Sequence, residues 1–180
     1  MQTDPFRPYV AAHCHFKLAT APWEHAGCAA LRQAVFCEEQ RIFDGDDRDE
    51  IDRTAIAIAA ISQVFGEMDA VVGTVRIDER DAGIWFGSRL AVMSPYRRSS
   101  FLGPELIRLA VGTARSRGAE AFFAHVQSQN APLFQRLRWH TLSEVLLHGR
   151  PHHFMRADFA HYPAIPDGAT GFVARNRSAA

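Results

Sequence analysis

Apolar and polar positions alternate with a period of two along His15-Phe16-Lys17-Leu18-Ala19, which predicts a short strand. The period then lengthens. Thr20, Pro22 and Glu24 supply the polar cap, early proline and early acid of a helix start. Trp23, Gly27, Ala30, Leu31, Ala34 and Val35 recur at three and four, so a helix is expected as far as Phe36 or Glu38 with that stripe on the core. Residues 38–53 are polar and read as a loop with a short helical turn. Strands are expected at 54–61 and 71–77 around a turn at 66–70, and a third at 84–92 after a turn at 78–83. Leu106, Ile107, Ala110, Val111 and Ala114 share one face of a helix over 104–117, with Gly118 where a C-terminal cap belongs. A strand at 121–127, a helix over 130–137 and two strands at 143–148 and 153–159 complete one α/β domain spanning 1–162. The prolines, glycines and polar residues of 163–180 predict a loosely ordered tail.

Charge narrows what such a domain binds. Twenty basic and 20 acidic residues cancel, so the chain lacks the positive field that nucleic acid requires. No apolar run approaches the roughly 18 to 20 residues of a membrane-spanning helix. Three cysteines without a CxxC pair suit a reducing compartment, and a cytoplasmic protein with neither membrane nor nucleic-acid partner is expected. His13, Cys14, His15 and Cys37 lack the spacing of a zinc site, so no metal is expected either. Charge is nevertheless clustered. Residues 44–52 carry six acids against Arg48, an aspartate-rich loop that would welcome a cation, while every basic residue except Lys17 is arginine, the better fork for phosphate and carboxylate.

The informative segment runs from Leu90 to Pro104, where a strand passes through an arginine-rich loop into a helix. Such a helix start offers free N–H groups and the positive end of the helix dipole to an anion. The alternative is an ordinary connection with solvated arginines. Arg98-Ser-Ser-Phe101-Leu-Gly103 resembles the Q/R-x-x-G-x-G/A pyrophosphate loop of the GNAT superfamily of N-acetyltransferases. Leu31-Arg-Gln-Ala-Val-Phe36-Cys-Glu-Glu-Gln40 resembles the LRxxVFxxEQ opening of one group of these enzymes. Asp49-Glu-Ile-Asp52, Val72-Gly-Thr-Val-Arg76 and Arg89-Leu-Ala-Val92 extend the likeness over roughly residues 15–160. Gln127-Ser-Gln-Asn130 and Gly149-Arg-Pro-His152 most resemble the branch associated with nitrogen-starvation and nitrilase gene clusters.

The resemblance implies a GNAT fold, a mixed central sheet flanked by helices, and an N-acyltransferase using acetyl-CoA or another acyl-CoA as cosubstrate. A small-molecule amine would attack the thioester directly. Pantetheine is expected beside Leu90, Ala91 and Val92 as an added strand, with a backbone N–H near Val92 polarising the carbonyl. The pyrophosphate is expected on Arg98, Ser99, Ser100, Phe101, Leu102 and Gly103, with Arg97 or Arg98 supplying charge and Asn130 and Phe134 nearby. The chain departs from the pattern three times. Phe101 replaces the first loop glycine, Phe134 stands where a tyrosine usually protonates the thiolate, and Arg89 stands close to the usual glutamate base. His125 is the replacement candidate for proton transfer; His152 and His153 flank the last hairpin. Glu38, Glu39 and Glu50 are read as an acidic wall for a cationic acceptor, and Arg89 as a partner for a carboxylate, which together favour an amino-acid-like amine; the alternatives are a solvated acidic loop and an internal ion pair of Arg89 with an acid such as Glu50. Two alternatives stand beside this reading. The Val35-Phe36 segment, Asp49 to Asp52 and Ser88-Arg89-Leu90 also resemble acylhomoserine-lactone synthases, whose donor may be acyl-carrier protein, and the missing acid and base fit a non-catalytic CoA sensor. A homodimer is left open.

Overall fold

The computed structural model describes residues 9–98 and 101–176. Its strands are β1 (His13–Leu18), β2 (Ile56–Val64), β3 (Glu67–Asp81), β4 (Ile84–Val92), β5 (Ala121–Gln127), β6 (Trp139–Leu147), β7 (Arg150–Ala157) and β8 (Phe172–Arg175). They form one sheet in the order β6-β7-β5-β4-β3-β2-β1-β8. Only β4 and β5 are parallel neighbours; the connection between them carries helix α2 (Leu102–Ser116). Helix α1 (Pro22–Gln33) follows β1, and the short α3 (Ala131–Arg136) follows β5.

Both faces of the central strands are covered, which is why β2 reads as an almost unbroken apolar run. Ile58 and Ala60 pack with Leu106, Leu109 and Val111 of α2, while Ala59 and Ile61 pack with Cys28, Leu31 and Val35 on the α1 side. Burying each large aliphatic side chain contributes about 1.5 to 3 kcal/mol. Gly27 lets α1 approach closely, because a Cβ there would lie 2.6 Å from Val71. The expected stripe on α1 is shifted: Trp23 is 44% exposed, and the buried positions are Glu24, Cys28, Leu31 and Arg32. Glu24 also replaces Thr20 as the cap. Its carboxylate accepts from the N–H groups of Thr20 and Ala21 at 2.6 and 2.9 Å and from the Lys17 ammonium at 2.6 Å. Burial alone would raise its pKa, but these donors prevail and hold it at about 2.

The chain tightens into turns later than its polarity suggests. Phe65 and Gly66, at φ 51° and 86°, make the first turn alone, and β3 continues to Asp81, so the polar residues expected as turns at 66–70 and 78–83 are mostly strand ends. His148 and Gly149, at φ 50° and 69°, make a two-residue turn between β6 and β7. The loosely ordered tail expected beyond 162 is corrected for its described residues. Phe172–Arg175 adds as edge strand β8 to β1, and the Asn176 N–H donates to the Ala12 carbonyl at 2.7 Å. Ile165 docks on Gly112, where a Cβ would lie 2.7 Å from its side chain, and its N–H donates to the Gly112 carbonyl at 2.9 Å. A glycine inside α2 thus makes the seat that holds the tail.

Candidate active site

The parallel pair β4 and β5 stays together only from Ile84↔Ala121 to Gly87↔Ala124. Beyond that point a bulge bends β4 away. Thr74 and Arg76 of β3 face Ala91 and Ser88 of β4, so three steps on β4 match two on β3, and Arg89 takes φ 56° inside the bulge. A non-glycine residue held there costs about 1 to 3 kcal/mol. The splay opens a cleft of about 250 Å³ with walls on both faces of the sheet. On the α2 side lie Leu90, Ile107, Val111, Phe122 and Phe134; on the α1 side lie Phe36, Phe43, His125, Gln127 and Arg150.

Segment 40–53 arches over the α1 side, and its aspartates are held by arginines. Arg32 Nε donates to Asp47 at 2.8 Å and its Nη1 to Asp52 at 2.6 Å. Arg76 binds Asp49 through two nitrogens at 2.7 and 2.9 Å and reaches Asp52 at 2.7 Å. Arg89 donates to Asp47 at 2.8 Å and Asp49 at 3.3 Å. The three arginines and three aspartates therefore alternate in a closed, neutral ring. Hydrogen bonds from Arg76 lower the Asp49 pKa; at Asp52 burial opposes ionisation, but the donors from Arg32, Asp49 and Arg76 overcome it and hold the pKa low. Burial and the nearby Arg76 lower the pKa of Arg89. The expectation that this aspartate-rich stretch welcomes a cationic acceptor is corrected, because its aspartates already bind the protein's own arginines. The available signal was the placement of two arginines within apolar patterns, Arg32 beside Leu31 and Arg76 between Val75 and Ile77.

The far side of the arch is fastened to the β6–β7 hairpin. Phe43 meets the His148 ring edge-on at 4.9 Å, Arg150 donates to the Gln40 carbonyl, and Gln127 Nε2 donates to Gln40 Oε1 at 2.9 Å. Gln40 follows a single π-helical turn, Ala34–Glu39, that extends α1.

Leu90, Arg89, His125, Asn130 and Phe134 all line the cleft. Glu38, Glu39 and Glu50 do not. Glu39 turns to Arg97 at 2.6 Å, and Glu50 is exposed and paired with Arg53 at 2.5 Å, so the expected acidic wall is absent from the cleft. Arg89, expected to meet a carboxylate of the acceptor, is already paired with Asp47 and Asp49 through its Nε and Nη2. Arg97 is engaged as well, through Glu39 and through its Nε, which donates to the Val92 carbonyl at 2.9 Å. Ala91 and Leu102 are buried side chains, Arg98 is exposed, Phe101 precedes α2, and Ser99 and Ser100 lie outside the described residues. His125 is exposed and stacks on Phe154 at 5.0 Å and on Phe86 at 6.3 Å; desolvation, Arg80 and His152 all lower its pKa, which favours the neutral imidazole. Phe134 is 6% exposed, with its ring edge-on to Trp139 at 5.1 Å. His152 is buried on β7, and His153, on the same strand, pairs with Thr141 at 3.2 Å. Among the described residues no His, Cys, Asp and Glu cluster could hold a metal, and no helix is long and apolar enough to cross a membrane.

A sequence profile of the acetyltransferase (GNAT) family matches residues 18–137. The chain is 25% identical over 131 residues to the uncharacterized Bacillus subtilis protein YyaT, covering 72% of this chain and 86% of that one. An acyl-CoA N-acyltransferase from Pseudomonas aeruginosa shares the fold with a TM-score of 0.63 at 19% identity, over 81% of this chain and 99% of that one. BjaI, a CoA-dependent acyl-homoserine lactone synthase, does so with a TM-score of 0.62 at 16% identity, over 81% and 83% of the two chains.

Proposed function

The chain belongs to the acetyltransferase (GNAT) family, and on that footing we propose that it transfers an acyl group from acyl-CoA to the amine of a small molecule within the β4–β5 splay. The splay itself carries the reading, because it leaves one edge of β4 unpaired beside a cleft. The Met93 N–H donates to Val72 on β3 at 2.9 Å, so strand alternation turns the Val92 N–H the other way, toward the opening. Pantetheine would line that edge along Leu90, Ala91 and Val92, and the Val92 N–H would polarise the thioester carbonyl. The pyrophosphate would sit at the start of α2, over Phe101, Leu102 and Gly103. At Gly103 an added Cβ would meet, among the described residues outside its own helix, nothing nearer than Leu133 at 3.9 Å, which leaves space for a ligand there. Arg98 would supply the charge there, since Arg97 is spent on Glu39.

The amine nitrogen would bond to the carbonyl carbon as the C–S bond breaks, with the sulfur keeping the electron pair. His125, neutral and open to the cleft, would take the amine's proton. Phe134 has no proton to give. The thiolate would leave unassisted, which the ordinary thiol pKa near 8.5 makes tolerable. The likeness to the nitrogen-starvation and nitrilase-cluster branch rests on segments that contribute Gln127 and Arg150 to the same cleft. A second reading takes a longer acyl group, as in acylhomoserine-lactone synthases, and is favoured by the buried apolar lining at Ile107, Val111 and Phe122.

Calorimetric titration with acetyl-CoA and longer acyl-CoAs, followed by thiol-release assays on an amine panel and with acyl-carrier-protein donors, tests both. Arg98→Ala is expected to weaken CoA binding by about 1 to 3 kcal/mol, the range of a charge-assisted hydrogen bond. His125→Gln is expected to lower kcat/KM and remove the acidic limb of its pH profile, which lies below pH 6.5. Absence of binding to every CoA thioester by the folded protein would overturn the proposal.

A further inference from the structure

We infer that the acceptor carries a carboxylate and that Arg150, on the β6–β7 hairpin, is the residue that reads it. The inference rests on the acyl-transfer reading and adds the substrate class. It follows from the charge balance of the cleft. The charged side chains that line it are Asp49, Arg76, Arg80, Arg89 and Arg150. Asp49, Arg76 and Arg89 belong to the neutral ring. Arg80 is neutralised by Asp78, which is 5% exposed and accepts from its Nε at 3.0 Å. Arg150 alone remains, because among the described residues no carboxylate lies within salt-bridge distance of it and its guanidinium donates to the Gln40 carbonyl, a neutral group. A half-buried cationic fork in a partly desolvated cleft favours an anion, and the planar guanidinium matches a carboxylate edge to edge.

The surroundings fix the position and kind of that anion. Gln40 and Gln127 are joined side chain to side chain at 2.9 Å, and Gln127 is also held by Gln129 at 3.1 Å. Arg150 therefore lies against the end of β5, at the mouth of the splay. Phe36, Ile42 and Phe43 provide apolar wall beside it. A single fork with part of its donors already used suits a monoanion better than a phosphate dianion. An amino acid with an apolar side chain has the matching parts: a carboxylate for Arg150, an amine for the thioester, and a hydrophobic group for the phenylalanines.

The test compares leucine, methionine and phenylalanine with their α-amides as acceptors, using the wild type, Arg150→Gln and Arg150→Lys. The wild type is expected to prefer each acid to its amide. Arg150→Gln should lower kcat/KM for the acids by about ten- to a hundredfold, the range of one charged hydrogen bond, and for the amides less than about threefold. Arg150→Lys should fall between, since charge survives without the fork. Equal rates on acid and amide in the wild type, or equal losses on both in Arg150→Gln, would overturn the inference and leave Arg150 a fastener of the arch. If CoA binds but no panel member is acylated, thermal shifts of the CoA-bound protein decide: stabilisation by the acids and not the amides, lost in Arg150→Gln, supports it, and no such difference refutes it. Failure of CoA itself to bind would instead remove the acyl-transfer reading.

Discussion

Replacing Asp47 with Asn removes one charge from the arginine–aspartate ring while changing almost nothing in shape. Asp47 is 2% exposed and accepts from the Nε atoms of both Arg32 and Arg89 at 2.8 Å. At an effective dielectric near 20, each charge pair about 4 Å apart is worth about 4 kcal/mol before desolvation is subtracted. Asparagine avoids the desolvation cost of the carboxylate, and since both Nε–H groups converge on one oxygen, its carbonyl can still accept from both. The ring, however, is left with a buried excess positive charge, and breaking a buried pair from one side costs about 3 to 5 kcal/mol. For a chain of this size each kcal/mol moves Tm by about 2 to 4 °C, so Asp47→Asn should lower Tm by roughly 6 to 20 °C. Thermal unfolding followed by circular dichroism reads this directly. A double-mutant cycle with Arg89→Met should return a coupling of about 1 to 3 kcal/mol, because the methionine no longer needs the lost charge. A Tm within about 2 °C of wild type, or effects of the two substitutions that add within about 0.5 kcal/mol, would refute the closed ring as a unit of stability.

Acidification should expose the Glu24 cap. Its folded pKa of about 2 lies below the ordinary 4.5, so the stability it supplies is complete above pH 4.5 and is lost as pH falls toward 2; Tm curves of wild type and Glu24→Gln should converge over that window, and a gap that stays constant would contradict it. Phe134→Tyr should leave CoA binding intact and cost no more than the roughly 1 to 3 kcal/mol of an unpaired buried hydroxyl, with kcat unchanged or raised; calorimetry showing that CoA binding is abolished would remove Phe134 from the cofactor side of the cleft.

Where strands are long in pattern and buried on both faces, sequence located them well: β4 at 84–92 and β5 at 121–127 match residue for residue. What escaped were the contacts that join distant segments. Asp47 meets partners 15 and 42 residues away, and nothing in a run of acids distinguishes those that find buried arginines from those that face water. Glu38, Glu39 and Glu50 are the exposed members, whereas Asp47, Asp49 and Asp52 hold the arginines. Arg150 sat in a motif without a role, since only the hairpin's return toward Gln40 brings it to the cleft. β8 is short and follows glycine and proline, so its strand character depends on the waiting edge of β1 rather than on its own propensity.

That waiting edge bears on how the chain reaches its final form. His13 pairs with Gln63 on one side and Arg175 on the other, so β1 finds one neighbour about 50 residues further along the chain and the other only about 160 residues further. Until then its outer row of N–H and C=O groups is open to pairing with another molecule. Contacts of such long sequence separation form late. Expression of a fragment ending at residue 162, the boundary that composition suggests, would make this interval permanent: it would strip the outer neighbour from β1 and Ile165 from its seat on Gly112. The expected product is an aggregating sheet edge instead of a trimmed enzyme, and the last few strand residues act as the sheet's closing cover against its own copies.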